Sequence, residues 1–272
     1  EITSGDWSSD VCSSDLRGLT WTQDVQIALG YRDGVRLIPV RLSGSTTEVG
    51  AARGLPAPLF VLPNGAGVAY GEFHLDPASL TWLSTHLPDI SDGLTRGAAW
   101  VTLWDALLES EMRATTFVDL ALRSLPLERD ELNVQRILSW LERAYWIFLP
   151  PAERLARSAR TEQVLSEGLA AATTAGAKGA YFAALRNVAV TPPTLARLTR
   201  VWRGDESIPG LPLAENDFIA LAQELVVREV PDWQAILRQQ IERTQNPDRK
   251  ARLQFVAPAL SSEPAERQRF FA

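Results

Sequence analysis

The hydrophobic rhythm of the chain changes near residue 76. Before it, apolar residues come in short runs and alternations. Val25-Gln26-Ile27-Ala28-Leu29 alternates, and Tyr31-Arg32-Asp33-Gly34 centres on an Asp-Gly pair suited to a tight hairpin. Val35 to Leu42 reads as the return strand. Pro39 within it lacks a ladder donor, which predicts an edge position or a bulge. Ser43-Gly44-Ser45 is a predicted turn and Thr46 to Val49 a predicted short strand. Two further strands are expected at Pro58 to Leu62 and Gly67 to Leu75, separated by Pro63 and the turn pair Asn64-Gly65. This is about half the strand count of a β-sandwich. Ile27, Leu29, Leu37 and Val40 are therefore expected to point inward and to lack part of their cover.

From Asp76 onward the period is helical. Asp76-Pro77 is a helix start, with Asp as N-cap and Pro in the first turn. Leu80, Leu83 and Leu87 follow at helical spacing and Pro88 stops the run. Asp92 is placed to cap a second helix with Trp100, Leu103, Trp104 and Leu107 as its stripe. The clearest segment is Glu131 to Leu149, where Val134, Ile137, Leu138, Leu141, Tyr145 and Phe148 recur at three- and four-residue steps; Pro150-Pro151 ends it. Further helices are predicted at 152–169, 171–188, 193–203, 213–230, 233–244, 247–260 and 264–271. Short polar or Pro-containing joints predict antiparallel neighbours. No strict period is visible, so the fold class expected is mainly α: an irregular HEAT-like stack of antiparallel helix pairs, preceded by a partial antiparallel β-sandwich. The expected organisation is a leader at 1–16, a partial β-domain at 17–75 and a helical domain at 76–272. The aromatic pair Phe270-Phe271 near the end suggests that the helical array continues in a longer parent chain.

The leader alters the composition. Asp6 to Leu16, DWSSDVCSSDL, resembles the conceptual translation of a sequencing-library adapter, and an unstructured segment is expected there. Glu1, Asp6, Asp10 and Asp15 lie within the leader, which has no Lys or Arg, so without it the net charge falls from −6 to −2. A nearly neutral surface gives no case for nucleic acid or an anionic membrane as partner. Cys12, the only cysteine, is also in the leader, which leaves the rest without disulfide or thiolate chemistry and fits a reducing compartment, the cytoplasm. No apolar run reaches the roughly 18 residues of a membrane span; Asp105 interrupts Ala98 to Leu108.

Candidate chemistry is sparse. The two histidines, His74 and His86, are expected to pack at a strand end and a helix end. Gly65-Ala66-Gly67-Val68-Ala69-Tyr70-Gly71 departs from a dinucleotide fingerprint by a late third glycine and is expected to be a hairpin loop. Trp and Tyr residues at helical spacing are expected in the core, and Glu109-Ser110-Glu111 and Pro247-Asp248-Arg249-Lys250 at solvated helix ends. No catalytic, cofactor-binding or metal-ligating residue is assigned.

Asn64, Tyr70, Leu75 and Asp76 stand in the order that marks the passage from β-sandwich to helical C-terminal domain in zinc aminopeptidases of the aminopeptidase N family. The Arg96 helix with Leu103-Trp104-Asp105, and Asn246 to Arg252, are similar too. The resemblance covers most of Arg17 to Ala272. It implies the end of the sandwich followed by a helical domain that covers a catalytic domain and encloses its cavity. The family's chemistry requires H-E-x-x-H with a downstream Glu to hold zinc and activate water. Here His74 is followed by Leu75-Asp76 and His86 by Leu87-Pro88, and no Gly-Ala-Met-Glu-Asn signature is found. The resemblance thus implies a non-catalytic portion without a cofactor of its own. Zinc, the catalytic domain and the peptide substrates would belong to a complete parent enzyme that releases N-terminal residues. The alternative expectation is a stand-alone helical scaffold that binds protein partners.

Overall fold

The computed structural model describes residues 22–43 and 46–272. The leader at 1–16, the start of the β-region at 17–21 and the Gly44-Ser45 part of the predicted turn lie outside the described residues.

Strand β1 (Gln23–Tyr31) and strand β2 (Gly34–Leu42) form the expected hairpin. They pair antiparallel from Tyr31 opposite Gly34 to Gln23 opposite Leu42, with Arg32-Asp33 at the tip. Strand β3 (Phe60–Leu62) joins the other side of β1, also antiparallel, giving the order β2-β1-β3. Pro39 therefore sits on an edge strand, where its missing N–H costs no ladder bond.

One face of the hairpin is a buried cluster of Val25, Ile27, Leu29, Ile38, Val40 and Leu42. The expectation that this face lacks cover is wrong. Val49, Ala52 and Leu55 of the segment after β2, Val61 of β3 and Ala69 of the loop after it pack against the cluster, so they supply what a second sheet was expected to supply. Leu37 is a second correction. It is 44% exposed, because a period of two cannot place Leu37 and Val40 on the same face.

Two predicted strands are absent from the sheet. Thr46 makes a single bridge, residues 47–49 are irregular, and Gly50–Ala52 forms a 3₁₀ turn. Gly67 to Leu75 is a loop. Asn64 clamps it, donating through Nδ2 to the Ala69 carbonyl at 3.1 Å and accepting from the Ala69 N–H at 3.2 Å, which diverts Ala69 from any ladder. Gly65 donates to the Gln26 carbonyl at 2.7 Å and lies so close to β1 that an added Cβ would stand 2.4 Å from that of Ala28.

Helices α1 (Pro77–His86), α2 (Gly93–Leu108), α3 (Ala114–Ser124) and α4 (Glu131–Arg143) complete the first compact unit, which ends at Leu149. The caps behave as predicted: Asp76 accepts from the N–H groups of Ala78 and Ser79 at 3.0 Å, and Asp92 from that of Thr95 at 2.7 Å. Asp130 caps α4 in the same way. Such caps contribute about 1 kcal/mol each. Trp100, Leu103, Trp104 and Leu107 are all buried, with Trp100 and Trp104 each meeting Phe117 edge-on. Helix α3 is absent from the sequence reading. Its N-cap position is Arg113, which makes no capping bond, so the usual start signal is missing, although Phe117, Val118, Ala121 and Leu122 are buried at helical spacing. Helix α4 does not run unbroken to Leu149: a π-helical turn, Ala144–Phe148, widens its end, and the Leu149 N–H reaches back to the Ala144 carbonyl.

The second compact unit, Pro150–Ala272, holds helices α5 (Pro151–Ala171), α6 (Ala175–Val188), α7 (Pro192–Arg203), α8 (Glu215–Val227), α9 (Trp233–Arg243), α10 (Pro247–Val256) and α11 (Pro264–Phe271). Pro opens α5, α7, α10 and α11, Thr174 caps α6, and Asn246 caps α10. Gly204, at φ 88°, ends α7 in the left-handed conformation. Its buried residues include Leu165, Phe182, Leu185, Trp202, Leu221, Leu225 and Ile236. The architecture is mainly helical, preceded by a small antiparallel sheet. Compactness does not follow the change of rhythm at Asp76: β3 packs on α1, placing sheet and first four helices in one unit.

Candidate functional site

The chemistry-bearing side chains of the first unit meet where the 69–75 loop reaches the C-terminal end of α2. That end is shaped by Ser110, which adopts φ 65° and turns the chain so that the Glu111 N–H bonds the Ala106 carbonyl at 2.9 Å. The reversal presents Glu111 to the loop. His74 Nδ1 lies 2.8 Å from Glu111 Oε1, and Nε2 lies 3.3 Å from Glu72 Oε1. The hydrogen bond to Glu111 raises the His74 pKa against the opposing effect of burial, with the charges of Glu111, Glu72 and Glu109 adding to the rise. Asp105 stands nearby, its carboxyl pushed up by burial and by Glu72 and Glu109.

A carboxylate thus stands at each ring nitrogen, Glu111 at hydrogen-bonding distance from Nδ1 and Glu72 at ion-pair distance from Nε2. The arrangement acts as a latch between loop and helix. His86 is elsewhere: its ring stacks on Trp82 at 5.1 Å, which in turn stacks on Phe60 at 4.8 Å, and its Nδ1 lies 2.6 Å from Thr85 Oγ1. Among the described residues no three His, Cys, Asp or Glu side chains gather as a metal-binding group.

A second constellation ties α2 to α4. Arg96 donates through Nε and Nη2 to the two oxygens of Glu128, at 2.9 and 2.5 Å, and through Nη1 to the carbonyls of Ile90 and Ser91. Glu128 Oε1 also accepts from the N–H groups of Arg129 and Asp130, and Asn133 donates to the Gly93 carbonyl. Burial pushes the Glu128 carboxyl up, but Arg96 and these N–H groups outweigh it and hold it below its ordinary value. With its hydrogen bonds directed at neighbouring loop and helix groups, this network is scaffolding.

The sequence reading placed all helical Trp residues in the core, but Trp82, Trp140, Trp146 and Trp233 are only half-buried. Trp140, half-buried, stacks on Trp104 at 5.4 Å with planes 7° apart; Arg136 lies over Trp140 and Arg143 over Trp104. Phe148, placed by the π-helical turn, meets Trp104 edge-on. Leu132, Ile147 and Leu108 on the same two helical segments are exposed. The spacing Leu132, Arg136, Trp140, Arg143, Ile147 is helical and could have been read as a mixed apolar and cationic stripe. The result is a buried and half-buried Trp104–Trp140 stack flanked by two arginines, with Leu132 and Ile147 exposed on the same stretch.

No family model matches the chain. Over 175 residues, 64% of its length, it is 27% identical to aminopeptidase N of Streptomyces lividans. The relationship is a distant, aminopeptidase N-like one. The match spans about a fifth of that relative, 20% of its length. Among the described residues no helix is long and apolar enough to cross a membrane.

Proposed function

We propose that this chain is a non-catalytic C-terminal portion of a zinc-dependent, aminopeptidase N-like metallopeptidase. In this reading a HEAT-like helical array covers the catalytic domain and encloses the active-site cavity, and the complete enzyme removes N-terminal residues from peptides. The observation that carries the reading is the similarity to the Streptomyces lividans protein, about a fifth of whose length the match spans, in a mainly helical chain with a small sheet. The chemistry of the residues is consistent with it. Both ring nitrogens of His74 face carboxylates, and neither histidine begins H-E-x-x-H. Exposed Ile147 and Leu132 beside half-buried Trp140 are the kind of surface that another domain of the same polypeptide would bury.

The purified chain is expected to hold no stoichiometric zinc and to release no chromophore from aminoacyl reporter substrates. One tightly bound zinc per chain by elemental analysis, or hydrolysis abolished by a chelator, would show that the portion is itself catalytic.

A further inference from the structure

The second unit holds an exposed arginine, Arg243, that is held by ring and hydrogen-bond contacts and makes no ion pair among the described residues. Arg243, at the end of α9, lies over the Trp202 ring of α7 at 4.2 Å and over the Phe218 ring of α8 at 5.1 Å. Its Nε donates to Gln240 Oε1 at 2.7 Å and its Nη1 to the Trp202 carbonyl at 3.1 Å. Gln240 is 1% exposed and is itself held, because its Oε1 also accepts from Trp202 Nε1 at 2.9 Å. The guanidinium is therefore oriented by two groups that are themselves buried and bonded to each other. Burial lowers its pKa, and among the described residues no carboxylate pairs with it. A guanidinium carries five N–H donors, and the contacts to Gln240 and Trp202 leave the Nη2 end of the fork unused.

Arg243 lines a cavity of about 260 Å³ together with Gln240, Phe218 and Glu215. Glu215 does not neutralise the arginine, since its own partners are Arg249 Nη1 at 3.1 Å and the N–H groups of Gln245 and Asn246 at 2.7 and 3.4 Å. The cavity thus offers a pre-oriented cation, an aromatic wall and a carboxylate already engaged by other donors. A planar fork matches a carboxylate in bidentate fashion. The Phe218 ring favours an apolar substituent on that acid. Glu215, still an anion, disfavours a doubly charged phosphate.

We propose that this cavity binds a small organic monocarboxylate bearing one apolar or aromatic group, with the carboxylate on Arg243 and the substituent against Phe218. The proposal does not depend on the aminopeptidase-like reading. It is tested on the full chain by ¹H–¹⁵N NMR of the Arg243 Nε–H and Trp202 Nε1–H signals, with phenylacetate as probe. Phenylacetate is expected to shift both signals saturably. Phenylacetamide, the neutral isostere, is expected to bind at least tenfold more weakly, and inorganic phosphate not to saturate. Arg243→Lys, which keeps the charge but loses the fork, is expected to weaken phenylacetate at least fivefold. If that variant does not fold, Phe218→Ala is expected to abolish the preference for phenylacetate over acetate. Equal binding of acid and amide, saturation by phosphate at the same concentration, or no saturable shift with phenylacetate would overturn the proposal.

Discussion

Glu162 illustrates how one residue can act on an element distant in sequence. It lies on α5, is 3% exposed, and has no basic partner in its hydrogen bonds; instead it accepts from the N–H groups of Val190 and Thr191 at 2.7 and 2.9 Å and from the Thr191 hydroxyl. These donors sit at the start of α7, where the helix dipole favours an anion. Glu162→Ala would leave the part-buried N–H groups unpaired, at a cost of about 2 kcal/mol, readable as a lower urea midpoint. Thr191→Val should cost less, since it removes only the hydroxyl. The Arg96–Glu128 pair is the counterpart in the first unit, with side chains 13% and 2% exposed. Glu128→Ala strands Arg96 beside α4 and is expected to lose about 3 kcal/mol; a double-mutant cycle with Arg96→Ala should show strong coupling. His74 is testable by titration. Its folded pKa is raised, so the latch adds stability below the unfolded value of about 6.5 and loses it as pH rises through the folded value. NMR should find His74 titrating above an ordinary imidazole, and Glu111→Gln should bring it down.

At the scale of elements, conformation decides more than burial. Ser110 occupies a left-handed position at the end of α2 without being glycine. Ser110→Gly should relieve that strain and raise stability by about 0.5 kcal/mol, detected as a higher melting temperature. Gly30 is the opposite case: a Cβ there would stand 1.9 Å from the Phe60 ring, so Gly30→Ala should be destabilising by about 2 kcal/mol as β3 is forced from β1.

The same contrast explains what was legible in the sequence. Hairpin tip, edge proline and the caps at Asp76 and Asp92 were readable because each depends on residues within four positions of one another. Helix α3 was not, because its start lacks a capping side chain. The Gly67 to Leu75 segment looked like a strand by composition, but the Asn64 clamp and the close approach of Gly65 to Ala28 are tertiary facts. The cover of the sheet by Val49, Ala52 and Leu55 was also hidden, since nothing local says where a loop folds back. Of the candidate groups, His74 was visible, with Glu72 two residues before it, but Glu111 was not, because it is 37 residues away.

For the whole molecule, the apolar side chains left open on α4 and the turn after it have a consequence in solution. Trp140, Ile147 and Leu132 offer apolar surface that water penalises at roughly 25 cal/mol per Å². The isolated chain is expected to self-associate, and Ile147→Glu should shift sedimentation toward monomer without altering the helical circular-dichroism signal. A chain that sediments as monomer at all concentrations would remove this support for a missing covering domain. The central claim, that this helical chain is the non-catalytic portion of an aminopeptidase N-like enzyme, is tested most directly by reading the source genomic DNA upstream of the codon for Arg17. The account predicts an open frame encoding H-E-x-x-H with a downstream Glu. A start codon close upstream, with no such motif in frame, would contradict it.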